Sequence, residues 1–226
     1  MIALSGLAST YAQKPESHTD KYIAGLWRNE LIEMLSWKVV ANSSQLPPAP
    51  SPKRIPSFSW IAVDSPVAFE IDEMYGDFDS IAQLVRSDME FDTADIYGNI
   101  RSCRLTLKAP VVQALTLGPL PTALGSLEEG TNPLYNEEML PIGRVDADHQ
   151  ESLSNDQHVV CLQLLKSQKD CGKSIFLVLT SATRVNTDST IYRRVGIGST
   201  EVSQGARGYI EGCMFADAPV KIVEIM

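Results

Sequence analysis

Five prolines fall between Leu46 and Pro56, at positions 47, 48, 50, 52 and 56. Each locks φ and removes an amide donor, so the run can be neither helix nor central strand. It divides the chain into an N-terminal segment over 1–45, an extended linker over 46–56 and a body over 57–226. The apolar period differs on its two sides.

Before the prolines the period is helical. Asp20 reads as a helix cap, and Tyr22, Ile23, Leu26, Trp27, Leu31, Met34 and Leu35 follow at i, i+3, i+4 intervals, with Trp37 at the end. Arg28, Glu30, Glu33 and Lys38 take the other face, and Gly25 weakens the first turns. The spacing predicts a helix from Asp20 towards Trp37, with a shorter one before it over Ala3–Tyr11.

After the prolines the period shortens to two. Phe58, Trp60 and Ala62, interleaved with Ser57, Ser59 and Ile61, predict a strand that stops near Asp64-Ser65-Pro66. Further strands are predicted over Ala82–Phe91, Ile100–Thr116, Val159–Lys166, Ser174–Ser181, Ile191–Gly198 and Val220–Ile225. Pro110 should break or bulge the second of these. Residues 117–151, rich in Gly, Pro, Asn and paired acids, read as loop. Strands joined by turns pair antiparallel, so the fold class is mainly β: an antiparallel barrel or sandwich of about eight strands, with a short N-terminal helical segment packed on it.

A formal net charge of −9 over 226 residues repels phosphate backbones and disfavours nucleic acid as a partner. No apolar run approaches the ~20 residues of a membrane helix. The apolar start, Met1–Ala8, lacks a basic flank and is interrupted by Ser5 and Gly6, which argues against secretion and for a cytoplasmic location. Asn42-Ser43-Ser44 is then a chance match to a glycosylation site. Cys103, Cys161, Cys171 and Cys213 form no C-x-x-C pair and read as reduced thiols.

Several fragments resemble catalytic motifs and fail on context. Cys171-Gly172-Lys173-Ser174 ends like a phosphate loop but has Ser167 where the leading glycine belongs, and it enters a strand rather than a helix. Gly196-Ile197-Gly198 lacks a third glycine. His18, His149 and His158 share no zinc-ligating spacing and read as solvated or strand-edge residues. The run Asp146-Ala147-Asp148-His149-Gln150-Glu151 lacks the glycine of a calcium loop and reads as a solvated acidic loop. Asp72, Glu73, Asp77 and Asp79 surround a Tyr75-Gly76 turn. Arg193 and Arg194 point to opposite faces of one strand, so one of them should meet a carboxylate in or near the core. No cofactor or metal is called for.

Trp27, Trp37 and Trp60, the chain's only tryptophans, read as staples between the N-terminal segment and the β-body. They also carry a family resemblance. Tyr22-Ile-Ala-Gly-Leu-Trp27, then Leu35-Ser-Trp37, then a proline-rich gap, then Arg54-Ile-Pro-Ser57-Phe-Ser-Trp60-Ile-Ala-Val-Asp64-Ser-Pro-Val67 resembles the region downstream of the HET domain in fungal heterokaryon-incompatibility proteins. Those show Y-L-A-G-L-W, L-L-W and R-A-P-S-W-S-W-A-S-V-D-G-P-V. Here Phe58 stands for the first Trp of the core, Ile61-Ala62 for A-S and Ser65 for Gly. Gly98–Ala109, Cys161–Leu165, Phe176–Leu179 and Tyr192–Ile197 resemble the family's later strands.

The resemblance marks Trp27, Trp37, Arg54, Ser57, Trp60 and Asp64 as the structural and interaction motif. It implies a non-catalytic recognition or regulatory module whose partner is a HET domain or another protein, the HET domain itself not being in this sequence. Two alternatives stand beside it. One is a β-barrel enclosing a small molecule. The other is a hydrolase pairing His158 with an acid of the 72–79 cluster.

Overall fold

The computed structural model describes residues 20–40, 46, 55–69, 78–92, 100–116, 131–149, 153, 156–169, 173–184, 190–200 and 214–226. Arg54, His18, Cys171, Cys213, Asp72, Glu73, Asp77 and the helix expected over Ala3–Tyr11 lie outside them.

The protein is mainly β. Short strands β1 (Tyr22–Ile23), β2 (Leu26–Trp27), β3 (Trp37–Val39), β4 (Val67–Phe69) and β5 (Phe78–Ser80) precede the long ones. These are β6 (Gln83–Phe91), β7 (Ile100–Thr116), β8 (Thr131–Tyr135), β9 (Pro141–Ala147), β10 (Gln157–Ser167), β11 (Ser174–Arg184), β12 (Thr190–Ser199) and β13 (Val220–Ile225). Every strand expected from Ala82 onward is present within a few residues of its predicted limits.

Strands β8 and β9 correct the reading of 117–151 as loop. They pair antiparallel across a turn built by Asn136, whose Oδ1 accepts from the amides of Glu138 (3.1 Å) and Leu140 (2.8 Å) while Met139 takes φ 61°. Polar residues here punctuate a hairpin; they do not lengthen a loop. Pro110 corrects a second expectation, because β7 runs through it unbroken. Pairing with β6 ends at Lys108 and pairing with β10 begins at Val111, so the missing amide falls where the neighbour changes.

The long strands belong to one nine-stranded sheet that closes on itself. The circuit β7–β8–β9–β12–β11–β10 returns to β7, with every pairing antiparallel. At one end β13 bridges β7 and β12, antiparallel to the first and parallel to the second. Strand β6 flanks the first half of β7, and β5 flanks the end of β10.

Alternation along the shared strands feeds two cores. One takes Val159 and Cys161 of β10, Phe176 and Val178 of β11, Val195 of β12, and reaches Leu134 and Val145 of β8 and β9. The other takes Leu162 and Leu164, Ile175 and Leu177, and Ile197, and reaches β13 and the N-terminal segment. Both faces of β10–β12 are therefore dry, which is why these strands read as nearly continuous apolar runs.

The N-terminal segment departs most from expectation. Tyr22–Trp27 is a hairpin, with Tyr22 opposite Trp27 and Ile23 opposite Leu26. Its two turn residues, Ala24 (φ 50°) and Gly25 (φ 95°), both sit at positive φ, as a tight hairpin turn requires. A 3-10 turn over Arg28–Glu30 and a single helical turn, α1 (Leu31–Met34), follow. Asp20 does cap, but it caps the 3-10 turn: its Oδ1 accepts from the Asn29 amide at 3.1 Å. The apolar side chains spaced for a helix still reach a core, and Ile23, Leu26, Leu31 and Leu35 are buried.

The strand expected over 57–63 is likewise a 3-10 turn, Trp60–Ala62. Ser59 caps it by accepting from the Ile61 amide at 3.2 Å, and donates its own proton to the Ala24 carbonyl at 2.5 Å. The aromatic–serine alternation there reflects local capping, not a pleated face. Strand β3 pairs with β4 to close a small third core around Trp37, Val39 and Val63.

Candidate functional site: a buried arginine clamp

Among the described residues the densest polar constellation is centred on Arg194, on β12 opposite Leu179 at an irregular step of the ladder. Its side chain is fully buried. Nε donates to Asp148 Oδ2 at 2.9 Å and Nη2 to Asp148 Oδ1 at 3.1 Å, a two-pronged ion pair. Nη1 donates to the Leu35 carbonyl at 2.8 Å, and Nη2 also to the Trp37 carbonyl. The guanidinium carbon lies 3.4 Å from the centroid of the Trp37 ring, a cation–π contact in a dry site. Burial pulls the guanidinium pKa down, and Asp148 opposes that pull.

The backbone around Arg194 is tied as tightly. Its amide donates to Ser57 Oγ at 3.0 Å, and Ser57 donates through both its amide and its hydroxyl to the Met226 carbonyl. Met226 returns its amide to Tyr192 at 3.0 Å, and the Asp148 amide reaches Val195 at 3.0 Å. The Arg194 side chain thus joins the N-terminal segment to the residue after β9, and its amide, through Ser57, ties in the exit of the proline-rich run and the residue after β13.

The arginine pair therefore does what the alternation implied, with Arg194 inward and Arg193 exposed. The acidic run does not. Asp148 and His149, expected in solvent, are 2% and 7% exposed. The alternation of β9 ends at Ala147, so sequence gives no period by which to bury Asp148. The only sign was an arginine on a strand needing a partner.

The quoted motif residues divide. Trp37 is buried and donates Nε1–H to the Phe58 carbonyl at 2.8 Å. Trp60 donates Nε1–H to the Gly25 carbonyl at 2.9 Å. With Ser57 they form the join between the segments before and after the prolines. Trp27 is half-buried, edge-on to Tyr22 at 5.2 Å. Asp64 is exposed and outside the cluster. Replacing Trp37 with Phe removes an indole hydrogen bond and weakens the ring beneath the guanidinium; urea denaturation is expected to show a loss of about 1–2 kcal/mol.

His149 packs beside the clamp with its Nδ1 buried and unpaired among the described residues. Burial lowers its pKa, and Arg193 and Arg194 push the same way against Asp148. The fold thus favours neutral imidazole. Its contribution to stability is complete above the unfolded-state value of about 6.5 and is lost as pH falls from there through the lower folded value. Urea midpoints should drop between pH 8 and pH 5.5, and His149→Leu should flatten that part of the profile.

The other candidate groups stand apart. Cys103 and Cys161 are buried free thiols; burial pushes Cys103 up to about 12 and raises Cys161 as well, so neither supplies a thiolate near neutral pH. His158 is exposed opposite Leu115, at the far end of β10 from Lys166, which pairs with Asp79. Eight residues of strand place His158 and Asp79 about 26 Å apart along β10, so this pair cannot act together. Asp79 accepts from Gln168 Nε2 at 2.6 Å instead. Ser174 begins β11 rather than a helix, and its amide donates to Thr200 Oγ1 at 2.7 Å. Gly196 and Gly198 lie inside β12, where the Asp146 carbonyl closes on the first and the Phe176 ring on the second, filling the space a ligand would need. No cluster of His, Cys, Asp or Glu among the described residues could hold a metal ion. No helix among them is long and apolar enough to cross a membrane.

No family model, curated protein or solved structure matches the chain.

Proposed function

We propose that the chain is a non-catalytic recognition module of the kind that follows the HET domain in fungal heterokaryon-incompatibility proteins. It works in the cytoplasm and holds or restrains a HET domain or another protein partner. The observation that carries this reading is the join around Arg194. Trp37, Ser57 and Trp60, drawn from the motif block, converge there or beside it and hold the segments before and after the prolines against the sheet. A motif whose residues serve as a frame belongs to a scaffold that presents a surface.

Polar chemistry at the join supports the same reading. The Arg194 donors are occupied by Asp148, Leu35 and Trp37, so the guanidinium is committed to holding chain segments together. The hairpin carrying Trp27 and Tyr22 is left half-exposed beside it, offering an aromatic contact to a partner.

Co-expression with a separately encoded HET domain tests the proposal. The expected result is a complex that co-purifies, together with a change in the cell killing the HET domain causes alone. No complex and unchanged killing would overturn it.

A further inference from the structure

Two buried side-chain polar atoms lack a hydrogen-bond partner among the described residues, Ser36 Oγ and His149 Nδ1, and both lie at the Arg194 clamp. Ser36 stands between the two residues whose carbonyls Arg194 holds, and His149 directly follows the residue whose carboxylate holds Arg194. Buried polar groups are ordinarily satisfied, so the unpaired imidazole marks a site whose closed form depends on that ring staying neutral. An imidazolium donates from both nitrogens, and Nδ1 meets no acceptor here. The charged groups that bear on His149 are Asp148 beside it and Arg193 and Arg194 on β12. Strand β3 also packs against β9 and contributes Lys38, half-buried. Protonation therefore adds positive charge where cations already outnumber the one carboxylate that bears on the ring.

What the clamp holds is small. Strands β3 and β4 pair over three residues each, and Trp37, Val39 and Val63 form a core of their own, apart from the two cores of the main sheet. A two-stranded sheet is marginally stable by itself, so its order depends on how it is docked. Arg194 docks it through the Leu35 and Trp37 carbonyls and the face of the Trp37 ring, and Asp148 is what lets that guanidinium stay buried.

We propose that His149 is an acid-sensitive latch on this small sheet: once protonated, the ring turns out to solvent, carries the adjoining Asp148 off Arg194, and frees β3 and β4 from a barrel that stays folded. Asp148 and His149 lie beyond the last residue of β9, so their movement leaves the β9–β12 ladder in place and costs the Asp148 amide its bond to Val195. Partial openings of this kind lie below the free energy of global unfolding. The open form takes up the proton near the ordinary value of 6.5 and the closed form only below it, because burial and the two arginines oppose the charge. Opening therefore gains as pH falls below 6.5, by up to about tenfold between pH 7.5 and pH 5.5.

The latch goes beyond the recognition-module reading and does not depend on it, since its test needs no partner. Amide hydrogen exchange of the chain alone is followed at pH 7.5 and pH 5.5 and corrected for the intrinsic effect of pH. Relative to Phe176–Val178 of β11, exchange across Trp37–Val39 and Val67–Phe69 is expected to quicken by about three- to tenfold at the lower pH. His149→Leu and His149→Gln, which cannot take up the proton, should each remove that difference, and Gln keeps a polar group in the site should Leu disturb the packing. Exchange in β3 and β4 that is the same at both pH values would overturn the proposal, as would equal quickening in β11, or a pH difference that survives in either folded variant.

Discussion

Asp148→Ala is expected to cost about 3–5 kcal/mol of unfolding free energy, measured by urea denaturation at pH 7. The carboxylate accepts two guanidinium hydrogen bonds at a site 2% exposed, and removing it leaves the Arg194 charge in the interior with only carbonyls and an indole face around it. Tryptophan emission is a direct probe, because Trp37 lies against the guanidinium. Arg194→Met alone should also be severe, since it strands Asp148 and the Leu35 and Trp37 carbonyls. The double variant Asp148→Leu with Arg194→Met should cost clearly less than the sum of the singles, because no unpaired charge remains. Arg194→Lys should not rescue: an ammonium is a point charge and cannot span both Asp148 oxygens and two carbonyls at once. A loss below about 1 kcal/mol in Asp148→Ala would mean the pair behaves like a surface ion pair, contrary to its burial.

That clamp also shows how far the sequence could be read. Arg194 was legible because its strand is long and its apolar neighbours fix the face on which it must lie. Asp148 was not, because it sits just past the end of β9, where period two no longer applies, inside a run of acids that looks solvated. The same division holds elsewhere. Strands β6, β7, β10, β11, β12 and β13 carry enough residues for alternation to register. Strands β1 to β4 have two or three residues each, and at that length a hairpin and a helix place apolar residues at overlapping positions. What separated them at Tyr22–Trp27 was the turn pair Ala24-Gly25, whose positive φ values a helix cannot use. The residues on either side of the prolines meet through Trp60 and Gly25, Trp37 and Phe58, and Ser59 and Ala24. Long-range hydrogen bonds between irregular segments leave no periodic trace in a sequence.

The glycines of β12 offer the second large effect, with an internal control. Opposite Phe176, a Cβ on Gly198 would lie 2.2 Å from the ring's Cε2 and 2.8 Å from the Arg144 carbonyl oxygen. Gly198→Ala is therefore expected to destabilise by about 1–3 kcal/mol, as overpacking of a tight core does. Much of that clash is with a side chain, so trimming it should help: in a Phe176→Leu background, Gly198→Ala should cost less than in the wild type. Gly196 meets a different obstacle. Its Cβ would come within 2.5 Å of the Asp146 carbonyl oxygen, on the strand that pairs with β12 beside the clamp. Backbone cannot be trimmed, so Gly196→Ala should be at least as severe, and Val145→Ala, which relieves only the 2.8 Å contact with Cγ2, should not restore it. The shift needed to admit that methyl group would push β9 away from β12 two residues before Asp148, so Gly196→Ala and Asp148→Ala should be non-additive in urea denaturation. Strict additivity would show that the ladder and the clamp hold independently, and would locate the cost of Gly196→Ala in the sheet alone.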